Sequence, residues 1–277
     1  MPTPRPTLAA PPVGALLRHW RALRGKSQLR LSADSGITQK HISFVESGRS
    51  QPSRGLLLGL AEALEMPLRE RNDLLAAAGF APVYPAAPLD AAARAGLQAA
   101  LQRMLRQHEP FPALVLDRHW NVLSANDAAP RFFGCFADLR AWPAPRNLLR
   151  LMLDPAGVRP HVADWDETAR GLIARVRREA PGHAPDAATQ ALLDTLGRHP
   201  GVDPRARVPS PADESPVIPL RFSKGGETLS YFSLVTTVGT PRSVAAEELR
   251  LECMFPADEH TERAHERFVA ANAWAPG

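Results

Sequence analysis

The 277-residue chain has no run of 18 or more apolar residues, so nothing in it reads as a membrane-spanning helix. Its amino end, MPTPRPTLAAPPVG, is rich in proline and lacks the apolar centre of a secretory signal, and a cytoplasmic protein with no membrane partner is expected. Only two cysteines occur, Cys135 and Cys253, far apart and outside any CxxC pattern. Neither a disulfide framework nor a zinc site is indicated, and reduced, partly buried thiols are expected. No G-x-S-x-G, G-x-G-x-x-G, P-loop or H-E-x-x-H sequence is present. His260 and His265 are five apart and would diverge on a helix, while Asp164, Asp166 and Glu167 are explained by capping and the helix dipole at the start of a helical run. No catalytic residue, metal or cofactor is expected, and the chain is not read as an enzyme. Lysine is scarce too, three of 33 basic residues, which we attribute to genomic composition.

What is present is a 44% hydrophobic composition suited to a sizeable core, and an uneven charge. Residues 1 to 80 hold 11 Lys/Arg against 6 Asp/Glu, a net +5, and residues 81 to 277 hold 22 against 23, a net −1, together the +4 of the whole chain. The first third therefore carries the excess positive charge, as expected of a part that meets a polyanion.

Residues 13 to 78 read as five short helices separated by turn signals. Leu16, Leu17, Trp20 and Leu23 form one apolar stripe that stops at Gly25; Ser27 and Thr38 are N-cap candidates for the next two helices, which stop at Gly36 and Gly48. The prolines of APVYPAAP, residues 81 to 88, mark a linker, followed by a helical face of Leu89, Leu97, Leu101 and Leu105 that could also serve dimer contacts. The period then changes. ALVLD and WNVLSA read as strands, helical segments follow at about 146 to 153, 164 to 180 and 186 to 198, and PVIPLRF, ETLSYFSLVTTV and EELRLECMF read as three further strands before a final helix. The expected fold class is α+β: an all-α five-helix domain, then five antiparallel strands with helices. The expected boundaries are a disordered segment at 1–12, a helical domain at 13–80, a linker and connecting helix at 81–108 and a second domain at 109–277.

The second and third helices are joined by a three-to-four-residue turn around Gly36, the layout of a helix-turn-helix. Ile42 and Val45 must face inward, which turns Thr38, Gln39, Lys40, Ser43 and Phe44 towards the major groove of a bound duplex. Gln can pair bidentately with adenine, Lys can reach guanine acceptors and Phe can contact a thymine methyl, although Phe44 could instead pack on a partner domain. Arg49 and Arg54 flank a proline-containing turn beside that helix and are candidates for phosphate contact, with a solvated charge as the alternative. The stretch from Leu17 to Pro67, with Arg21, Gln28, Leu31, Gly36-Ile37-Thr38, Ile42-Ser43, Val45-Glu46, Gly48-Arg49, Pro52 and LAEALEMP, resembles the Cro/C1-type (XRE-family) repressor domain. The resemblance implies that Gln28 contacts phosphate, that the start of TQKHISF reads bases, and that Arg21 and Glu46 form a partly buried ion pair. Ser32 stands where that family usually has alanine.

The later segments PALVLDRHWNVLSANDAAPRFFG, NLLRLMLDPAGVRPHVADWDETARGLIARVRREA and the three closing strands resemble the MmyB-like ligand-binding domain over about 110 to 262. The order of elements is PAS-like, and the loop at 200–215 departs in length and proline content. The resemblance implies a regulator with a pocket for a small molecule, fatty-acid-like ligands among those it suggests. Phe132, Phe133, Leu149, Met152, Trp165, Phe232 and Leu234 sit where side chains should face inward, to line a pocket or simply to fill a core. Arg150 and Arg159 could meet a carboxylate or pair on the surface, and Asn126 suits a turn or cap. Together these readings point to a homodimeric, double-stranded-DNA-binding regulator with a small-molecule effector. The alternative is a protein-interaction module with a ligand-free scaffold domain.

Overall fold

The structure is a computed structural model that describes residues 12–86, 91–142, 144–179, 187–197 and 220–272. Residues 1–11, Leu89, the loop at 200–215 and the first four residues of the expected strand at 216–222 lie outside the described residues. The chain divides into two compact units, one of Met1–Leu89 with Thr240–Glu247, the other of Asp90–Gly239 with Glu248–Gly277.

The first unit holds α1 (Val13–Leu23), α2 (Gln28–Ser35), α3 (Gln39–Glu46), α4 (Arg54–Ala63) and α5 (Leu68–Ala77). Three of the starts are made by side chains: Ser27 Oγ accepts from Arg30 N at 3.0 Å, Thr38 Oγ1 from His41 N at 3.3 Å and Ser53 Oγ from Leu56 N at 3.2 Å. Leu16, Leu17 and Trp20 of α1 meet Leu31, Ile42, Val45, Leu57, Leu60 and Leu74 in one core with Trp20 fully buried at its centre, whereas Leu23, expected on the same stripe, is 50% exposed. At Gly14 a Cβ would lie 2.5 Å from the Glu46 carbonyl oxygen, so only glycine lets α1 approach α3 this closely.

The second unit contains α6 (Ala91–Gln107), β1 (Ala113–Leu116), β2 (Val122–Ala125), α7 (Ala128–Gly134), α8 (Leu148–Leu153), α9 (Trp165–Glu179), α10 (Ala187–Gly197), β3 (Leu220–Lys224), β4 (Glu227–Thr237), β5 (Arg250–Pro256) and α12 (Glu259–Asn272). The five strands form one antiparallel sheet in the order β2-β1-β5-β4-β3. Alternation along the strands sorts the side chains. Leu114, Leu229, Tyr231 and Met254 join the helices in the main core, whereas Ala113, Val115 and Leu251 face the other way and are covered by Leu105 of α6. Arg175 of α9 holds Glu252 of β5 through two bonds of 3.0 and 3.1 Å, holds Glu179 at 2.7 Å, and lies 4.3 Å from the Trp120 ring centroid. Burial disfavours the Arg175 charge, but the two carboxylates more than offset this and raise its pKa.

One element departs from expectation. The last strand was expected from Glu247, yet it starts at Arg250, because Ser243 Oγ accepts from Ala246 N at 3.3 Å and opens a short helix, α11 (Val244–Glu247), within the first unit.

Candidate nucleic-acid interface and ligand groove

The face of α3 is fixed by what its inner residues hold. Ile42 and Val45 are buried in the core, and Glu46, 6% exposed, is the polar anchor. Its carboxylate accepts from Arg21 Nε at 2.6 Å and Nη2 at 3.0 Å and from Gln28 Nε2 at 2.9 Å, while Arg18 Nη2 donates to its backbone oxygen at 2.9 Å. Burial alone would raise the carboxyl pKa; the Arg21 and Gln28 hydrogen bonds outweigh it and hold the group ionised below the usual range. Gln28, at the first position of α2, thus spends one amide hydrogen on Glu46 and keeps a second donor and its carbonyl oxygen.

With that anchor in place, Thr38, Gln39 and Lys40 are exposed, and Ser43 and Phe44 are half-buried, on the side of α3 away from the core. Lys40 Nζ sits 5.7 Å from the Phe44 ring centroid, so the aromatic ring and the ammonium share one surface. The helix stops where Gly48, at φ +73°, lets its N–H reach Val45 O at 3.1 Å and the Arg49 N–H reach Phe44 O at 2.8 Å. Arg49 and Arg54 are both exposed at the turn that follows. The helix presents a polar donor and acceptor array at its start with cations beside it, the chemistry that base edges and phosphates require.

In the second unit the seven residues considered for a pocket do not form one wall. Phe132 is wholly buried, with ring centroids of Phe133, Phe136, Phe222 and Tyr231 5.1 to 5.4 Å away. Phe133, Leu149 and Met152 line a void of about 20 Å³, room for about one water. Trp165 lies beneath the Arg159 guanidinium, 4.5 Å from its ring centroid, and its Nε1 is buried without a hydrogen-bond partner among the described residues. Phe232 and Leu234 correct the expectation that they point inward. They alternate with the core residue Tyr231, pair with Phe255 and Cys253, and lie on the opposite face of the sheet, with Leu234 51% exposed. Alternation marks the strand run, but which of its two faces turns inward is set by the register with β5, which the sequence does not show.

The open space lies elsewhere. A groove of about 630 Å³ runs between α7, the segment 137–146 and α12, and is lined by Pro130, Arg131, Leu139, Arg146, His265 and Val269 among others. An apolar recess of about 130 Å³, walled by Leu114, Phe133, Trp142, Leu148 and Leu151, shares Pro130, Leu139 and Arg146 with it. Arg146 is the residue that sequence reasoning missed. It stands in a proline-rich loop with no period to mark it, and its position is set by its backbone oxygen, which accepts from Val122 N at 2.8 Å. Arg131 is held by Glu109 at 3.4 Å and Arg140 by Asp138 at 3.5 Å, so of the groove's three arginines Arg146 alone has no ion-pair partner among the described residues. Arg150 is exposed and lines neither space. Asn126 is a buried bracket: its Oδ1 accepts from Ala113 N and Ala129 N, and its Nδ2 donates to Phe111 O. No helix among the described residues is long and apolar enough to cross a membrane, and no cluster of His, Cys, Asp or Glu among them could hold a metal ion.

Comparison with known proteins matches residues 97–268 to the MmyB-like transcription regulator ligand binding domain and residues 17–71 to a helix-turn-helix family. A relative described as an uncharacterized HTH-type transcriptional regulator, y4dL, of Sinorhizobium fredii, is 44% identical over 52 residues, 19% of this chain and 26% of that relative. The match therefore spans about a quarter of the relative's length.

Proposed function

Because the chain belongs to the family of MmyB-like transcription regulators, we propose that it binds operator DNA sequence-specifically through α3 and is controlled by an amphipathic, fatty-acid-like molecule held by its second domain. The observation that carries the first half is the Gln39-Lys40-Ser43-Phe44 surface, held outward by the Glu46 anchor beneath it. Gln39 and Lys40 read base edges, each good contact worth ~1–3 kcal/mol of discrimination, and Arg49 and Arg54 meet phosphates. The exposed Thr38 and the free amide hydrogen of Gln28 serve the backbone at the helix starts. A two-fold homodimer would place two such helices about one helical turn (~34 Å) apart on a pseudo-palindrome.

The second half rests on the groove. Its apolar walls suit an alkyl chain, the adjoining recess extends them, and Arg146 at their junction offers a carboxylate a guanidinium that has no ion-pair partner among the described residues. Fluorescence anisotropy against duplexes selected from a random pool, at two salt concentrations, tests the DNA reading. Specific binding that weakens steeply with salt, and that Gln39→Ala or Lys40→Ala relaxes, supports it; no preferred duplex, or a shallow salt dependence, favours a protein-interaction module instead. Titration with sodium palmitate tests the ligand reading: saturable binding that Arg146→Gln weakens at least tenfold is expected, and equal binding by both proteins refutes the assignment.

A further inference from the structure

The helical unit is not one continuous piece of chain. It is completed by Thr240–Glu247, which the sequence places between β4 and β5. This segment does structural work there. The N-cap of α5 is Pro67, which has no side chain able to accept a hydrogen bond, and Glu247 Oε2 supplies the acceptor from 179 residues away, 2.7 Å from Leu68 N. A carboxylate at that end of the helix also meets the positive pole of its dipole. Ser243 and Val244 are buried at 4% and 2% exposure, and Val244 N donates to Pro85 O at 2.9 Å. Asn72 of α5 ties the same stretch of chain, its Nδ2 donating to Tyr84 O at 2.7 Å and its Oδ1 accepting from Val83 N at 3.0 Å. Behind α5 stand α1 and α4, and α1 in turn packs on α3.

The two ends of the segment are equally well held. Thr237 pairs with Arg250 in the sheet, and Glu248 accepts from Arg118 Nη1 at 3.2 Å. β4 runs unbroken from Thr237 back to Tyr231, whose hydroxyl meets His265, a residue that lines the groove.

We propose that residues 240–247 are a clasp through which the second domain sets the DNA affinity of the first. A change in the groove that moves His265 displaces β4, the displacement reaches the clasp along a strand too stiff to absorb it, and the clasp alters the support of α5 and of the helices stacked behind it. This rests on reading the first unit as the DNA-binding head and the second as the sensor. A coupling of this kind exists only if perturbing one end changes the free energy at the other.

The test is hydrogen exchange on the full chain, read on α5, in the wild type, Tyr231→Phe, Val244→Ser, Glu247→Ala and the double variant Tyr231→Phe/Val244→Ser, with operator affinity measured on each. Releasing the clasp by Val244→Ser or Glu247→Ala is expected to speed exchange of the α5 amides at least tenfold and weaken DNA binding at least threefold. Exchange in β1 and β2 should stay within twofold, which shows that the sheet remains folded. Tyr231→Phe is expected to change α5 exchange at least threefold in the wild type and not at all once Val244 is serine. The clasp is overturned if α5 is unchanged in both release variants, if it loosens without changing DNA affinity, or if the Tyr231→Phe effect persists in the double variant. If the wild type prefers no duplex, the DNA reading fails and the regulatory role of the clasp fails with it, while the exchange data still decide whether the segment supports α5.

Discussion

Tyr231 donates its hydroxyl hydrogen to Nδ1 of His265 across 2.7 Å, and the opposite nitrogen of the same ring donates to the Pro110 oxygen across 3.0 Å. The Pro110 carbonyl can only accept, which places a hydrogen on Nε2, and burial disfavours the doubly protonated ring, which leaves Nδ1 as the lone pair that the tyrosine hydroxyl meets. Burial lowers the pKa of His265 below the ordinary 6.5, the Pro110 carbonyl and the nearby Glu266 carboxylate opposing it only in part, and burial raises that of Tyr231.

This arrangement makes the second domain acid-sensitive. A histidine kept neutral in the fold but free to protonate when unfolded contributes nothing differential above pH 6.5; below that, the unfolded chain takes up the proton first. Stability is therefore expected to fall as the pH drops through 6.5 towards the depressed folded value. Thermal unfolding of the wild type and His265→Gln between pH 5 and 7.5 checks this: the decline should be visibly shallower in the variant, and parallel curves would show that the fold does not hold His265 neutral.

The Arg21–Glu46 pair gives a dependence of the same sign in the head, over a lower range of pH. Glu46 has its pKa held down, so its stabilising effect is complete above the ordinary carboxylate range and is lost as pH falls through the depressed value. Removing the guanidinium by Arg21→Ala strands a carboxylate that is 6% exposed. The expected cost is about 3 kcal/mol, the lower end for a broken buried pair, because Gln28 still donates to it. Arg21→Lys restores the charge but not the two-pronged geometry, and a urea titration of the head should place it between the two.

How much of this was open to a reader of the sequence depends on whether the signal is local. The helices of the head announce themselves, since Ser27, Thr38 and Ser53 cap within three residues and Ile42 and Val45 repeat at helical spacing. The five strands and their mixture with helices are also legible from changes of period. Contacts across the chain are not. Phe232 and Leu234 turn outward because β5 fixes the register, Arg146 reaches the groove because its backbone is paired with Val122, and Glu247 leaves the last strand for a short helix on α5. Each depends on a partner 19 or more residues distant, which no periodicity records.

A position that looks unremarkable in sequence, Glu65, is strained in the fold. After α4, Met66 N reaches Ala61 O at 2.9 Å, the same closing bond that follows α3, but the residue in the left-handed conformation is Glu65 at φ +48° where α3 has Gly48. The Glu65 backbone oxygen accepts from Arg24 Nη2 at 2.7 Å, a contact that survives loss of the side chain. Glu65→Gly is expected to stabilise the head by up to about 1 kcal/mol, the cost of a left-handed non-glycine residue less the extra entropy of an unfolded glycine. A lower melting temperature would show that the carboxylate contributes more than the strain costs.

The sharpest steric test falls at Gly14. Alanine is the better helix former by ~1 kcal/mol, and on propensity alone Gly14→Ala should stabilise α1. The structure reverses that expectation, because the new methyl would lie 2.5 Å from Glu46 O and 2.7 Å from Val45 O, backbone atoms that cannot swing aside as a side-chain tip can. Either α1 or α3 must shift, at the ~1–3 kcal/mol usual for overpacking, which outweighs the gain. The shift also pulls at the end of α3 from which Arg21, Gln28 and Arg18 hold the outward face in register. Gly14→Ala should therefore lower both the melting temperature and operator affinity, the second by more than lost folded protein explains. Unchanged affinity per folded molecule would show that the outer face of α3 does not depend on its close approach to α1.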